Sequence, residues 1–264
     1  MSDLLFTGER LHKENPLFAI DLVRHRAAYI RAIELARSAG AQRVLDLGCG
    51  TGYGTGELAA VLPMTYAVDR ISPDPGARHP AAHFIRADAA HLPLRAESFD
   101  MIVSFQVIEH LENPAPYLNS ITRLLKPGGT ALITTPNLLE SDRENPFHVH
   151  EYEAAELAAL LGDYFSQVDM LGVCATAEPK AYYDARLKRI QSIVRIDPLG
   201  LRRRLPRWII DGLFAAFAVQ VRRGIQKSDG LPEVDLEDFP ILPAQPDCLD
   251  LFAVCQNPHR ENGA

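Results

Sequence analysis

The stretch VLDLGCGTGYGTGEL, residues 44–58, runs from a short apolar segment straight into glycines at alternate positions, Gly48, Gly50 and Gly52, with a helical pattern beginning near Thr55. Glycines so placed let the backbone turn tightly and let a ligand approach it with no Cβ in the way. No register of the loop supplies GxGxxG, because the sixth residue counted from Gly48 is Tyr53 and from Gly50 it is Thr55. A dinucleotide is therefore disfavoured.

Outward from this loop, apolar runs alternate with helical stretches. The runs cover Arg43–Leu47, Thr65–Val68, His83–Ala87, Met101–Phe105 and Gly129–Thr134, and two more follow at Ser166–Val173 and Leu249–Cys255. Such alternation builds a parallel sheet with helices on both faces, so a doubly wound, seven-stranded, mostly parallel α/β sheet is expected. Ahead of it, Ile20, Val23, Ala27, Ile30, Ile33 and Leu35 recur at helical spacing from Phe18 to Ala39, and Gly40 stands where the helix would end. With 264 residues, 47% of them apolar and 23% charged, the chain is long and apolar enough for one substantial core. The organisation expected is an N-terminal segment and helix over 1–40, a ligand-binding core over 41–174, a basic helical insert or lid over 175–247, and a last strand and tail over 248–264.

The net charge of −7 argues against general nucleic-acid binding, yet it is spread unevenly. Between Lys180 and Ser228 there are 12 Lys or Arg against three acids, a local charge of +9 on a remainder of −16. Within this stretch the apolar run Trp208–Val221 is flanked by Arg202, Arg203, Arg204 and Arg207 on one side and by Arg222, Arg223 and Lys227 on the other. Fourteen residues fall short of the ~20 that span a bilayer. The run reads either as a packed lid helix or as a helix held against a membrane surface or an acyl chain through residues 202–227. The N-terminus lacks a basic stretch followed by a long apolar run, so the cytoplasm is expected, at most with peripheral contact to a membrane's inner face. Cys49, Cys174, Cys248 and Cys255 are scattered, which suggests buried or cofactor-lining thiols rather than a zinc knuckle or a disulfide framework.

Five segments between Val44 and Asn137 resemble, in order, the class I S-adenosylmethionine (SAM)-dependent methyltransferases. Asp46, Gly48, Gly50 and Gly52, with Cys49 among them, match that family's first motif, D-x-G-x-G-x-G. Asp69, followed by Arg70, closes the second run, where the resemblance implies a carboxylate for both ribose hydroxyls. Asp88 in IRADAAHLPL falls where the family's Asp accepts from the adenine amino group, and the next amide, of Ala89, serves the ring. SFDMIVSFQVIEHL, which contains Phe105, matches the fourth strand and its turn, and LLKPGGTALITTPN the fifth strand. The resemblance implies a Rossmann-like fold, SAM as cofactor, S-adenosylhomocysteine as product, and methyl transfer as the activity.

Methyl transfer from a sulfonium depends above all on positioning the nucleophile. A hydroxyl acceptor must in addition shed a proton, and histidine is the natural base near neutral pH. His110 follows Glu109 just beyond the fourth run, and similar sugar and quinone O-methyltransferases carry a His near the acceptor at this turn. His148 and His150, in NPFHVHEY, follow the fifth run and should also face the site. The plainer reading makes His110 a packing or capping residue and the other two a loop pair that orders the next helix with Glu151. Some quinone O-methyltransferases hold a divalent metal at this turn through Glu, Glu and His; here Glu109 and His110 match, but the first position is Gln106. An amide is a weaker ligand than a carboxylate for a hard cation, so no metal is expected.

The segments TGER, and TTPN followed by NPFHVHEY, resemble more loosely a bacterial subgroup associated with polysaccharide and glycolipid biosynthesis. The reading reached is methyl transfer to a small-molecule, glycan or lipid-linked acceptor, at oxygen. N- or C-methylation would use the same cofactor site, and a non-catalytic SAM-binding module with a membrane-peripheral insert is the alternative outside catalysis. No [ND]PP[YF]-type motif follows the fourth run, which argues against a nucleic-acid acceptor. The oligomeric state is not legible.

Overall fold

The computed structural model describes residues 18–73, 75–143, 145–194 and 231–259. Its strands are β1 (Arg43–Leu47), β2 (Met64–Asp69), β3 (Ala82–Arg86), β4 (Phe99–Phe105), β5 (Leu125–Pro136), β6 (Phe165–Val173), β7 (Ile241–Pro243) and β8 (Asp250–Pro258). Its helices are α1 (Ala19–Ser38), α2 (Tyr53–Ala59), α3 (Ala115–Leu124), α4 (Ala154–Gly162) and α5 (Ala177–Val194). The strands form one sheet in the order β3-β2-β1-β4-β5-β8-β6-β7. β1 to β5 pair in parallel, while β8 runs antiparallel to both β5 and β6.

Side chains alternate across a strand, and β4 shows how that divides the interior. Met101, Val103 and Phe105 join one apolar cluster with α1 and α5, whereas Ile102 joins a second with α3 and α4. A strand covered on both faces reads as a continuous apolar run rather than an alternating one, which is why MIVSF was legible. Gly40 adopts φ 64° just past Ala39, the residue that caps α1, as expected of the residue that ends a helix.

Among the described residues the sheet has eight strands, one more than the seven expected. The addition is β7, three residues on the sheet edge that pair antiparallel with Leu171–Val173 of β6. Pro240 precedes it and Pro243 is its last residue, and a strand that short and that rich in proline, tolerated only at an edge, carries no periodicity to read. The interval 175–247 is thus not wholly helical: it opens with α5 and closes with β7. Trp208–Val221 and its flanking arginines lie outside the described residues. Among the described residues no helix is long and apolar enough to cross a membrane.

The cysteines correct the expectation of isolated thiols. Cys174 and Cys248 form a disulfide, while Cys49 and Cys255 are buried and free. They are 74 apart in sequence, but Val173 of β6 lies opposite Asp250 of β8, so the residues flanking those strands meet at the foot of the insert. A long separation hid a short distance.

Candidate active site

In an open parallel sheet, ligands bind beyond the carboxyl ends of the strands where the strand order reverses. Here that point lies between β1 and β4, and both chemistry-bearing segments open onto it. Gly48, Gly50 and Gly52 all adopt positive φ, and a Cβ on Gly48 would come within 2.3 Å of Val107. The glycine is therefore required for the loop after β1 to touch the turn after β4.

Asp46 is fully buried beneath this loop and accepts from Thr55 Oγ1 at 2.6 Å and from Tyr29 OH at 3.3 Å. Burial pushes its carboxyl up to about 7, against the opposing effect of those hydrogen bonds. Asp69 closes β2 and accepts from the amides of Gly50 and Ile71, both at 2.9 Å. Asp88 lies two residues beyond β3 and caps its own turn by accepting from Ala90 N at 2.9 Å, with Ala89 between them. Cys49 is buried, Arg70 is exposed, and Phe105 packs edge-on to Tyr29 with ring centroids 4.9 Å apart.

The β4 turn holds a second group of residues. Gln106 sits at φ 58°, a conformation that side chains rarely adopt and that is retained where surrounding structure demands it, often at functional sites. Glu109 is fully buried; its Oε2 accepts from Thr135 Oγ1 at 3.1 Å, and its Oε1 has no hydrogen-bond partner among the described residues. Burial raises its carboxyl to about 7, opposed by the neighbouring His110 and His148. The Glu109 carbonyl also accepts from Val149 N at 2.7 Å and His150 N at 3.2 Å, which staples the loop between β5 and α4 onto the turn. His110 and His148 thereby meet, with ring centroids 5.2 Å apart. The ligand atoms of Glu109, His110 and His148 lie within 4.8 Å of one another. His150 does not join them: it is half exposed and pairs with Glu156 at 2.7 Å.

Several residues of this region carried no motif. His25 of α1 bonds to Tyr53 OH and lies among the rings of Tyr29, Tyr53 and Phe105. Burial, and then the adjacent Arg24, lower its pKa to about 3, so the ring stays neutral. Arg24 also faces Asp250 of β8 at 3.4 Å. Burial raises the Asp250 carboxyl, opposed by Arg24 and by a hydrogen bond from Gln106. An acid inside the apolar run CLDLFAVC was the signal that could have singled out Asp250.

A glycine loop over a buried Asp, an acid closing β2, and a polar turn after β4, all at one switch point, define a nucleotide-cofactor enzyme of Rossmann-like class. Residues 45–133 match the family model of a methyltransferase domain. A probable S-adenosylmethionine-dependent methyltransferase of Mycolicibacterium smegmatis is 38% identical over 185 residues, 65% of this chain and 69% of that protein. The chain belongs to the SAM-dependent methyltransferase family, and SAM is its cofactor. A ubiquinone biosynthesis O-methyltransferase of Rhodopseudomonas palustris is 31% identical over 141 residues, covering 48% of this chain and 53% of that one. In fold, a SAM-dependent methyltransferase from Thermotoga maritima, a possible histamine N-methyltransferase, superposes with a TM-score of 0.55 at 16% identity, covering 89% of this chain and 91% of that one.

Proposed function

We propose that the chain transfers the SAM methyl group to a hydroxyl oxygen of a small-molecule, glycan or lipid-linked acceptor seated beside Glu109, His110 and His148. The observation that carries this reading is the meeting of a buried carboxylate with two imidazoles two residues beyond Val107, which itself touches the glycine loop. As the acceptor oxygen forms its bond to the methyl carbon, the carbon–sulfur bond breaks and its electron pair passes to sulfur, giving S-adenosylhomocysteine. The hydroxyl proton goes to a base. His110 suits that role, since its Nδ1 faces the Phe147 carbonyl at 2.9 Å and must carry the proton, which makes Nε2 the basic nitrogen. In the same reading Asp69 takes the ribose hydroxyls, with Arg70 beside it, Asp88 and the Ala89 amide take the adenine, and Asp46, Gly48, Cys49, Gly50, Gly52 and Phe105 frame the rest of the cofactor. An O-methyltransferase relative of ubiquinone biosynthesis supports oxygen as the acceptor atom. The basic stretch 202–227 would meet an anionic membrane or a lipid-linked acceptor.

The test supplies methyl-labelled SAM with three acceptors, a catechol, a methyl hexoside and a polyprenyl-phosphate sugar, and follows S-adenosylhomocysteine and label. An O-methyl product, formed at least ~100-fold more slowly by His110→Ala with SAM affinity kept, supports the reading. Label on nitrogen or carbon, or SAM binding without turnover on any acceptor or on a whole-cell extract, overturns it. Salt-sensitive sedimentation with anionic liposomes, lost when Arg202, Arg203 and Arg204 are changed to Gln, tests the membrane contact.

A further inference from the structure

We propose that Glu109, His110 and His148 form a site for one divalent transition-metal cation of the zinc class. The β4 turn supplies only two of these ligands. The third comes from the loop between β5 and α4, drawn in by the bonds from Val149 N and His150 N to the Glu109 carbonyl.

Three features fit these residues to a cation. The first is proximity: one ligand atom from each lies within 4.8 Å of the others. A tetrahedron built on bonds of ~2.0 Å has edges of about 3.3 Å, so closure asks for side-chain shifts of about an ångström. The second is orientation. His110 donates from Nδ1 to the Phe147 carbonyl at 2.9 Å, and His148 donates from Nδ1 to Glu151 Oε1 at 2.5 Å. In both rings the proton is thereby fixed on Nδ1 and the lone pair on Nε2, the arrangement in which a carbonyl or carboxylate behind the ring orients a metal-bound imidazole. The third is an unsatisfied polar atom. Glu109 is fully buried, yet its Oε1 receives no hydrogen bond among the described residues. An orphan carboxylate oxygen in the interior is costly, and a cation removes that cost.

The donor set also names the class of ion. Magnesium and calcium take all-oxygen sets, whereas two imidazoles and one carboxylate suit zinc and its neighbours. This set therefore differs from the Glu, Glu and His of the similar quinone enzymes, where Gln106 now stands. Three protein ligands leave a fourth position open. A cation on His110 Nε2 would occupy the lone pair that otherwise takes the acceptor proton, so in the acceptor-side reading above, on which only this chemical role rests, it would replace that base by holding the acceptor oxygen and lowering its pKa, the proton passing to water. One neighbour competes: the Asn145 amide donates to His148 Nε2 at 2.8 Å, where the cation would sit, and must rotate away.

The test titrates tag-free, chelator-treated full-length protein with Co2+, read from its visible d–d bands, and then displaces it with Zn2+. One Co2+ per chain is expected. His148→Ala and Glu109→Gln should each weaken it at least tenfold, Glu151→Gln by ten- to a hundredfold, and Asn145→Ala should leave it unchanged or tighten it. His150→Ala, at an exposed position, is the control that should not matter. Far-UV circular dichroism and SAM affinity verify that each variant is folded. No stoichiometric Co2+, or Co2+ binding indifferent to His148→Ala, overturns the site. Co2+ binding without methyl transfer would instead sink the acceptor reading and leave the site standing. Methyl transfer by protein that binds no cation would do the reverse.

Discussion

Asp69 is exposed enough to meet a ligand, and both its oxygens already hold backbone, at Gly50 N and Ile71 N. A charge-assisted hydrogen bond to a ribose hydroxyl is worth ~1.5–3 kcal/mol, so Asp69→Ala is expected to weaken SAM at least tenfold, read by calorimetry. Unchanged affinity would remove Asp69 from the cofactor site. His25 gives a second expectation, in pH. Its pKa is lowered to about 3 by burial and by Arg24, whereas in the unfolded chain it is ~6.5. Below pH 6.5 the unfolded state therefore binds a proton that the folded state refuses. Stability from this group is complete above pH 6.5 and is lost as pH falls towards 3, at up to ~1.4 kcal/mol per pH unit. His25→Gln should accordingly flatten the loss of melting temperature between pH 7 and pH 5; an unaltered slope would show that the His25 ring does protonate in the fold. The contrast between these two residues explains what the sequence made legible. Asp46 lies in β1, Asp69 ends β2 and Asp88 follows β3 in a recognisable pattern, while His25, Arg24 and Asp250 acquire their surroundings only when α1 meets β8.

At the level of elements, α1 and α2 lie close enough that one glycine decides their packing. A Cβ on Gly54 would fall 2.0 Å from the ring of Tyr29, a buried side chain that donates to Asp46. Gly56, two residues on in the same helix, has only His79 Cβ nearby, at 3.9 Å. The same substitution should therefore act oppositely at the two positions. Gly56→Ala gains helix propensity and should stabilise by up to ~1 kcal/mol. Gly54→Ala gains it too but overpacks the Tyr29 contact, at a cost of ~1–3 kcal/mol, and should lower the melting temperature relative to Gly56→Ala by roughly 2–4 °C for each kcal/mol of difference. Equal shifts in thermal unfolding would show that α1 does not lie on α2 as described. The strands buried on both faces announced themselves as unbroken apolar runs, and β1 matches its expected bounds, Arg43–Leu47. β7 did not, because three residues that follow one proline and end on another hold no period, and the Glu109–His148 meeting did not, because the bonds that make it join backbone to backbone, which composition does not encode.

For the whole molecule, the interval 175–247 is bounded by the two bonded cysteines, Cys174 and Cys248, so the crosslink closes that interval at its base. The arrangement is reinforced from inside, where Asp21 of α1 accepts from Tyr183 OH at 3.1 Å and Arg186 Nη1 at 3.2 Å, both on α5. α5 is thus tied to the core at its foot by the covalent bond and along its length by a buried carboxylate. A crosslink across 74 positions removes loop-closure entropy from the unfolded chain, worth ~4 kcal/mol in the chain-entropy account, and because it acts on the unfolded state its effect does not require the insert to do anything in particular. Two measurements check it. Denatured without reductant, the protein should show two titratable thiols, Cys49 and Cys255, and after reduction all four of its cysteines. Cys248→Ser should lower the urea midpoint and raise the slope, because the unfolded chain without its crosslink exposes more surface, and adding reductant should do the same to the unaltered chain but nothing further to the variant. Four thiols in the unreduced protein, or a midpoint indifferent to both changes, would mean that the ends of the insert are held by the Asp21 contacts and strand pairing alone.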